Sequence, residues 1–137
     1  MSTSKVTYLG ALRTRNEHVK SGSTYITDAP LDNHGKGDAF SPTDTVATAL
    51  ANCMLTVMGV KARDLGIDLE GSVAEVTKVM ASEPRRIERI EVIIELPSAI
   101  SEKHQRILEN TARTCPVLYS LHPDIDKHLR FNWGSVR

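Results

Sequence analysis

The stretch from Ser41 to Asp64 constrains this chain more than any other, because it reads as a long helix that is apolar on nearly every side. Ser41 can cap it, Pro42 suits the first helical position, and Asp44 follows Ser41 by three residues as in a capping box, close to the positive end of the helix dipole. Gly66 stops it. At about 100° per residue, Val46, Ala49, Leu50, Val57 and Val60 fall within about 60° of Cys53. The other side carries Ala51, Leu55, Met58 and Ala62, which are no more polar. Such a helix needs cover on most sides. At 1.5 Å per residue it is roughly 34 Å long, and a chain of 137 residues has limited means to enclose it. A second copy of the chain is the natural cover, so a homodimer is expected.

The rest of the chain shows no repeat, low-complexity tract or linker, and one domain over residues 1–137 is expected. Lys5 to Tyr8 and Gly10 to Thr14 read weakly as strands, and Ser23 to Thr27 more clearly so. Asp28 to Phe40, with Pro30, Asn33, Gly35 and Gly37, is a long loop of the kind that often borders a site. Beyond Gly66, the run from Leu69 to Met80 is rich in β-formers but alternates imperfectly, so strand and helix both fit. Glu83-Pro84 marks a turn. Ile90, Val92, Ile94 and Leu96 then alternate with Glu91 and Glu95 as a half-buried strand that ends at Pro97, Ile93 being the misfit. Ser101 can cap a second helix reaching Thr114, with Ile107, Leu108, Thr111 and Ala112 as its apolar stripe, and Lys127 to Trp133 reads as a closing strand.

Composition removes several function classes. The 17 Lys and Arg balance 17 Asp and Glu, so there is no broad basic face for a nucleic acid. Hydrophobic residues at 40% and charged residues at 25% fit a soluble globular chain. The amino terminus lacks the apolar core of a signal peptide, and no uncharged apolar run suited to a membrane span is expected, so the chain reads as cytoplasmic. His18, His34, His104, His122 and His128 are scattered, and no Cys/His spacing suggests a metal.

Two cysteines remain, Cys53 within the long helix and Cys115 immediately before Pro116, 62 residues apart. In a reducing compartment such a pair is catalytic, redox-sensing or simply buried. Only a thiolate is a good nucleophile. Cys53 lies about eleven residues into its helix, beyond reach of the first-turn dipole. Cys115 can occupy the N-cap of a short helix beginning at Pro116, where free N–H groups favour an anion. From the residues alone, Cys115 is the easier thiolate and Cys53 the more enclosed thiol.

Ser41-Pro42-Thr43-Asp44-Thr45-Val46-Ala47-Thr48-Ala49-Leu50-Ala51-Asn52-Cys53 resembles the cysteine helix of the OsmC/Ohr family of peroxide-reducing proteins, and Thr114-Cys115-Pro116-Val117 resembles its second cysteine site. The order of elements agrees over nearly the whole chain, on the side of an OsmC-like branch. The resemblance implies an α+β fold in which two chains intertwine, antiparallel sheets wrapping two central helices. It implies that Cys53 attacks an organic hydroperoxide and becomes a sulfenic acid, and that Cys115 resolves it to a disulfide, which a dithiol reductant then opens. No cofactor is implied. This reverses the order of the two thiols, provided that a cation reaches Cys53. In the family an arginine from the amino-terminal strands does so, held by a glutamate. Arg13 is the preferred candidate here and Arg15 the other. The glutamate follows the proline in the hydroperoxide-resistance enzymes, but that position is Thr43, and Asp44 is better placed to serve Ser41. The resulting expectation is a thiol peroxidase active against organic hydroperoxides in oxidative stress. Its rivals are a non-catalytic OsmC-like dimer that holds a hydrophobic ligand in the interface cleft, and a structural dimer with inert cysteines.

Overall fold

A computed structural model describes residues 1–136. The chain divides into two compact units, Met1–Val46 and Ala47–Arg137.

The first unit is a three-stranded antiparallel sheet of β1 (Ser4–Gly10), β2 (Arg13–His18) and β3 (Thr24–Asp28), in that order. The chain reverses between β1 and β2 at Ala11 and Leu12, whose φ angles are both positive, 54° and 64°. A two-residue hairpin with both central residues left-handed matches the twist of the flanking strands. The expected strand over Gly10 to Thr14 is therefore corrected to a turn followed by the start of β2. No Asn-Gly or Asp-Gly pair signals that turn. After β3 the loop closes on itself. The Asp28 N–H donates to the Phe40 carbonyl at 3.0 Å, and the Gly37 N–H donates to Ala29 at 3.1 Å.

Helix α1 (Pro42–Leu65) starts as its residues require. The Asp44 N–H donates to Ser41 Oγ at 3.0 Å and the Ser41 N–H donates to Asp44 Oδ2 at 3.0 Å, a reciprocal box that satisfies two otherwise orphan donors.

The second unit holds most of α1, a sheet in the order β4 (Val73–Ala81), β5 (Arg86–Pro97), β6 (Asp126–Val136), and helices α2 (Glu102–Ala112) and α3 (Pro116–Ser120). The ambiguous run after Gly66 is a strand. Ala74, Val76 and Met80 are half-buried while Val73 and Val79 are exposed, so apolar residues occupy both faces and blur the alternation. In β5, Ile90, Val92, Ile94 and Leu96 are fully buried on one face, and the misfit Ile93 is half-buried on the other. Expected antiparallel pairing holds for β4–β5, but β5 and β6 run parallel. A parallel pair needs a long crossover, and α2 and α3 lie in that connection.

The core joins Leu50, Met54 and Met58 of α1 to the inward residues of β5, and to Leu108 and Ala112 of α2. Each large side chain so buried contributes about 1.5–3 kcal/mol. The contacts come from one side of α1. Val46 and Val60, on the Cys53 face, remain 42% and 60% exposed. By length and composition α1 could cross a membrane, which was not expected from the sequence. Six of its residues are instead buried within the chain.

Candidate active site

The fold brings Cys53 and Cys115 together. Cys53 projects from the middle of α1 and is half-buried at the edge of the core. Cys115 occupies the N-cap of α3, where its Sγ accepts the Leu118 N–H at 3.4 Å. It is fully buried. Both are free thiols at one core cluster, near enough for Cys53 to bear on the ionisation of Cys115.

This geometry corrects the ranking of the two cysteines drawn from their local sequence. Cys115 does cap α3, and N–H groups of Leu118 and Val117 do favour its thiolate. Burial is the larger effect and pushes its pKa up, and the hydrogen bond and charge of Cys53 push the same way. Cys115 is thus the enclosed, protonated thiol and Cys53 the accessible one. A donor near the Sγ is visible in sequence, whereas the core that closes over it is not.

Arg13 belongs to the other unit. It pairs across the sheet with Asp28, and one Nη lies 3.9 Å from Asp28 Oδ2 and 3.8 Å from Asp38 Oδ2. Asp28 is 1% exposed and also accepts the Asp38 N–H at 3.0 Å. Arg15, exposed and opposite Ile26, makes no ion pair among the described residues. Asp28 escapes a reading of the sequence because it sits at the boundary of strand and loop. Its place opposite Arg13 depends on the register of β2 against β3.

Among the described residues, no group of three His, Cys, Asp or Glu side chains comes together to hold a metal. Open hollows of about 510 and 590 Å³ lie at the carboxyl end of α1, the first beside Leu55, Gly59 and Leu69, the second beside Pro97, Ile100 and His104. Neither includes a cysteine.

The sequence pattern of the OsmC-like proteins matches residues 35–129, a span that contains both cysteines. The chain belongs to the OsmC family. Among solved structures it is similar to a Psychrobacter arcticus 273-4 protein named for osmotic stress induction and a detoxification response, with 55% identity, 96% of each chain covered and a TM-score of 0.92. More distant likenesses show the shared OsmC fold. The organic hydroperoxide resistance protein OsmC of Legionella pneumophila is 17% identical over 96% of this chain and 98% of its own, with a TM-score of 0.70. The organic hydroperoxide resistance protein OhrB of Bacillus subtilis is 17% identical over 95% and 98%, with a TM-score of 0.69. No curated protein matches by sequence.

Within this OsmC-family chain, the position after Pro42 is Thr43, and the Asp44 carboxylate accepts the Ser41 N–H. The carboxylates found at the Arg13 guanidinium come from Asp28 and Asp38.

Proposed function

We propose that this OsmC-family protein is a thiol-dependent peroxidase that reduces organic hydroperoxides. The observation that carries the proposal is that an accessible Cys53 and a buried, protonated Cys115, 62 residues apart in sequence, meet at one core cluster. The Cys53 thiolate attacks one oxygen of the O–O bond, so that an S–O bond forms and the alkoxide leaves, taking a proton to become the alcohol. Cys53 is then a sulfenic acid. The Cys115 sulfur attacks Cys53 Sγ, a disulfide forms and water departs with the Cys115 proton. A dithiol returns both cysteines to thiols by exchange, becoming a disulfide itself. A Cys115 thiol kept protonated does not compete with Cys53 for peroxide, and it gives up its proton as the disulfide forms. The family resemblance assigns the supporting cation to Arg13, whose guanidinium is charged at any working pH. The proposed assembly is a homodimer covering the apolar face of α1, and the proposed setting is the cytoplasm, where dithiols are kept reduced.

Site-resolved mass spectrometry after peroxide titration tests the scheme. Substoichiometric organic hydroperoxide should give an intramolecular Cys53–Cys115 disulfide. Cys115→Ser should leave Cys53 as sulfenic acid or its overoxidised forms, and Cys53→Ser should leave Cys115 reduced. Survival of both free thiols in excess peroxide would reject the enzyme. A second reading, an OsmC-like dimer that binds a hydrophobic ligand without turnover, draws on Thr43 in place of a carboxylate and on the exposed Val46 and Val60. It predicts that survival.

A further inference from the structure

We propose that the backbone N–H of Leu118 is a catalytic donor when the Cys53–Cys115 disulfide is reduced, receiving the charge of Cys115 as that sulfur leaves, so that the incoming dithiol bonds first to Cys53. The assignment rests on the peroxidase reading, which supplies the disulfide. It starts from a mismatch in the housing of Cys115. The thiol is 0% exposed, and burial works against its thiolate. Yet the Leu118 N–H donates to its Sγ at 3.4 Å, and the Val117 N–H favours the anion as well. A neutral thiol is a weak acceptor, whereas a hydrogen bond to an anion is roughly twice as strong as a neutral one. These donors therefore act fully only while Cys115 carries a charge.

Thiol–disulfide exchange creates that charge. A thiolate of the dithiol attacks one sulfur of the disulfide, a new S–S bond forms, the old one breaks, and its electron pair stays on the other sulfur. Access selects the sulfur attacked. Cys53 is half-buried at the edge of the core, whereas Cys115 is enclosed by it. An opening that admits a hydroperoxide to Cys53 also admits a thiolate, but a path to Cys115 runs through packed side chains. The reductant's sulfur thus bonds to Cys53, and Cys115 departs as a thiolate held by the N–H groups of Leu118 and Val117, then takes up a proton. The second thiol of the reductant attacks the reductant's own bonded sulfur. Cys53 leaves, the reductant departs as a disulfide, and its two electrons have reduced the protein. The reverse order would put the leaving charge on Cys53, whose neighbouring N–H groups are tied into the hydrogen-bond ladder inside α1.

The alternative is that the Leu118 N–H only caps α3, which would affect stability and not the exchange. The test begins with the full wild-type chain, oxidised by diamide so that no peroxide is involved. The oxidised protein is mixed with 2-mercaptoethanol, quenched early in acid, alkylated with N-ethylmaleimide and mapped by mass spectrometry. The mercaptoethanol adduct should sit chiefly on Cys53 and the maleimide on Cys115. An adduct chiefly on Cys115, an equal mixture, or failure of diamide to join the two cysteines would each overturn the assignment, and none of these outcomes depends on a variant. The donor itself is tested by replacing Leu118 with its α-hydroxy acid, which keeps the side chain and puts an ester oxygen where the N–H was. Loss of a hydrogen bond to a charged group, only part-developed in the transition state, should slow exchange by about fivefold. Leu118→Ala keeps the N–H and loses buried side-chain contact, so it should be less stable yet exchange at the wild-type rate. An unchanged or faster exchange in the ester, or an equal slowing in Leu118→Ala, would overturn the role of the N–H. A protein that shows this order of attack but leaves organic hydroperoxide intact would lose the peroxidase reading and keep the assignment. Hydroperoxide turnover with the adduct on Cys115 would do the reverse.

Discussion

Substituting Val60 by Asp on α1 should separate the expected dimer into monomers. Val60 shares the Cys53 face of the helix and is 60% exposed in the single chain. Burying a whole valine is worth at least about 1.5 kcal/mol, so covering the exposed part is worth about 1 kcal/mol. In a twofold dimer each substitution acts twice, which gives about 2 kcal/mol from lost apolar contact. Burying an unpaired carboxylate adds several kcal/mol for each copy. Even a small fraction of that term brings the total beyond about 4 kcal/mol, a roughly thousandfold weaker association. Sedimentation equilibrium at micromolar concentration should give twice the 15.1 kDa chain mass for the wild type and the single-chain mass for Val60→Asp. Val60→Ala, which loses only the contact, should fall between them. Near-ultraviolet circular dichroism would verify that Val60→Asp is still folded. A wild type that sediments as a stable monomer would refute the reasoning, and so would a folded Val60→Asp with unchanged association.

Four further outcomes follow from particular contacts. Leu50 is fully buried in the core, and Leu50→Ala should cost about 2–5 kcal/mol in urea unfolding. Ser41→Ala removes the acceptor of the Asp44 N–H and should cost about 1 kcal/mol in the same assay. At Gly35 a Cβ would stand 1.8 Å from the Ala29 carbonyl oxygen, so Gly35→Ala should force the loop to rearrange, seen as lost hydrogen-exchange protection at residues 35 and 37. Because burial raises the Cys115 pKa, the folded protein holds the thiol proton more tightly than the unfolded chain does. That stabilisation is full below the unfolded thiol value of about 8.5 and is lost as pH rises through the higher folded value. Cys115→Ala should remove this alkaline component from a plot of unfolding free energy against pH.

What the sequence makes legible here is local chemistry. The Ser41–Asp44 box, the Pro42 start, the alternation of β5 and the Ser101 cap of α2 each involve residues within a few positions of one another, and each is present. Long-range pairing is what sequence does not display. The turn at Ala11 and Leu12 uses residues that normally avoid positive φ, so its cause lies in the strands it joins. The parallel β6 is likewise invisible from within, because a strand reads the same in either direction. Only the helical length between β5 and β6 hints at a crossover.

The candidate site follows the same division, and the cysteines show why it matters for function. The N-cap of α3 is a local feature that promises a lowered pKa for Cys115, and the donor is where it should be, at 3.4 Å. The N–H groups of Leu118 and Val117 offset only part of the desolvation of a fully buried thiolate, so burial decides the direction. Cys53 is the reverse case. It lies too deep in α1 for the dipole to help, yet its face is left half-covered because the core is built from the other side of the helix. Which thiol is enclosed and which is accessible is therefore set by which side of α1 faces the sheet.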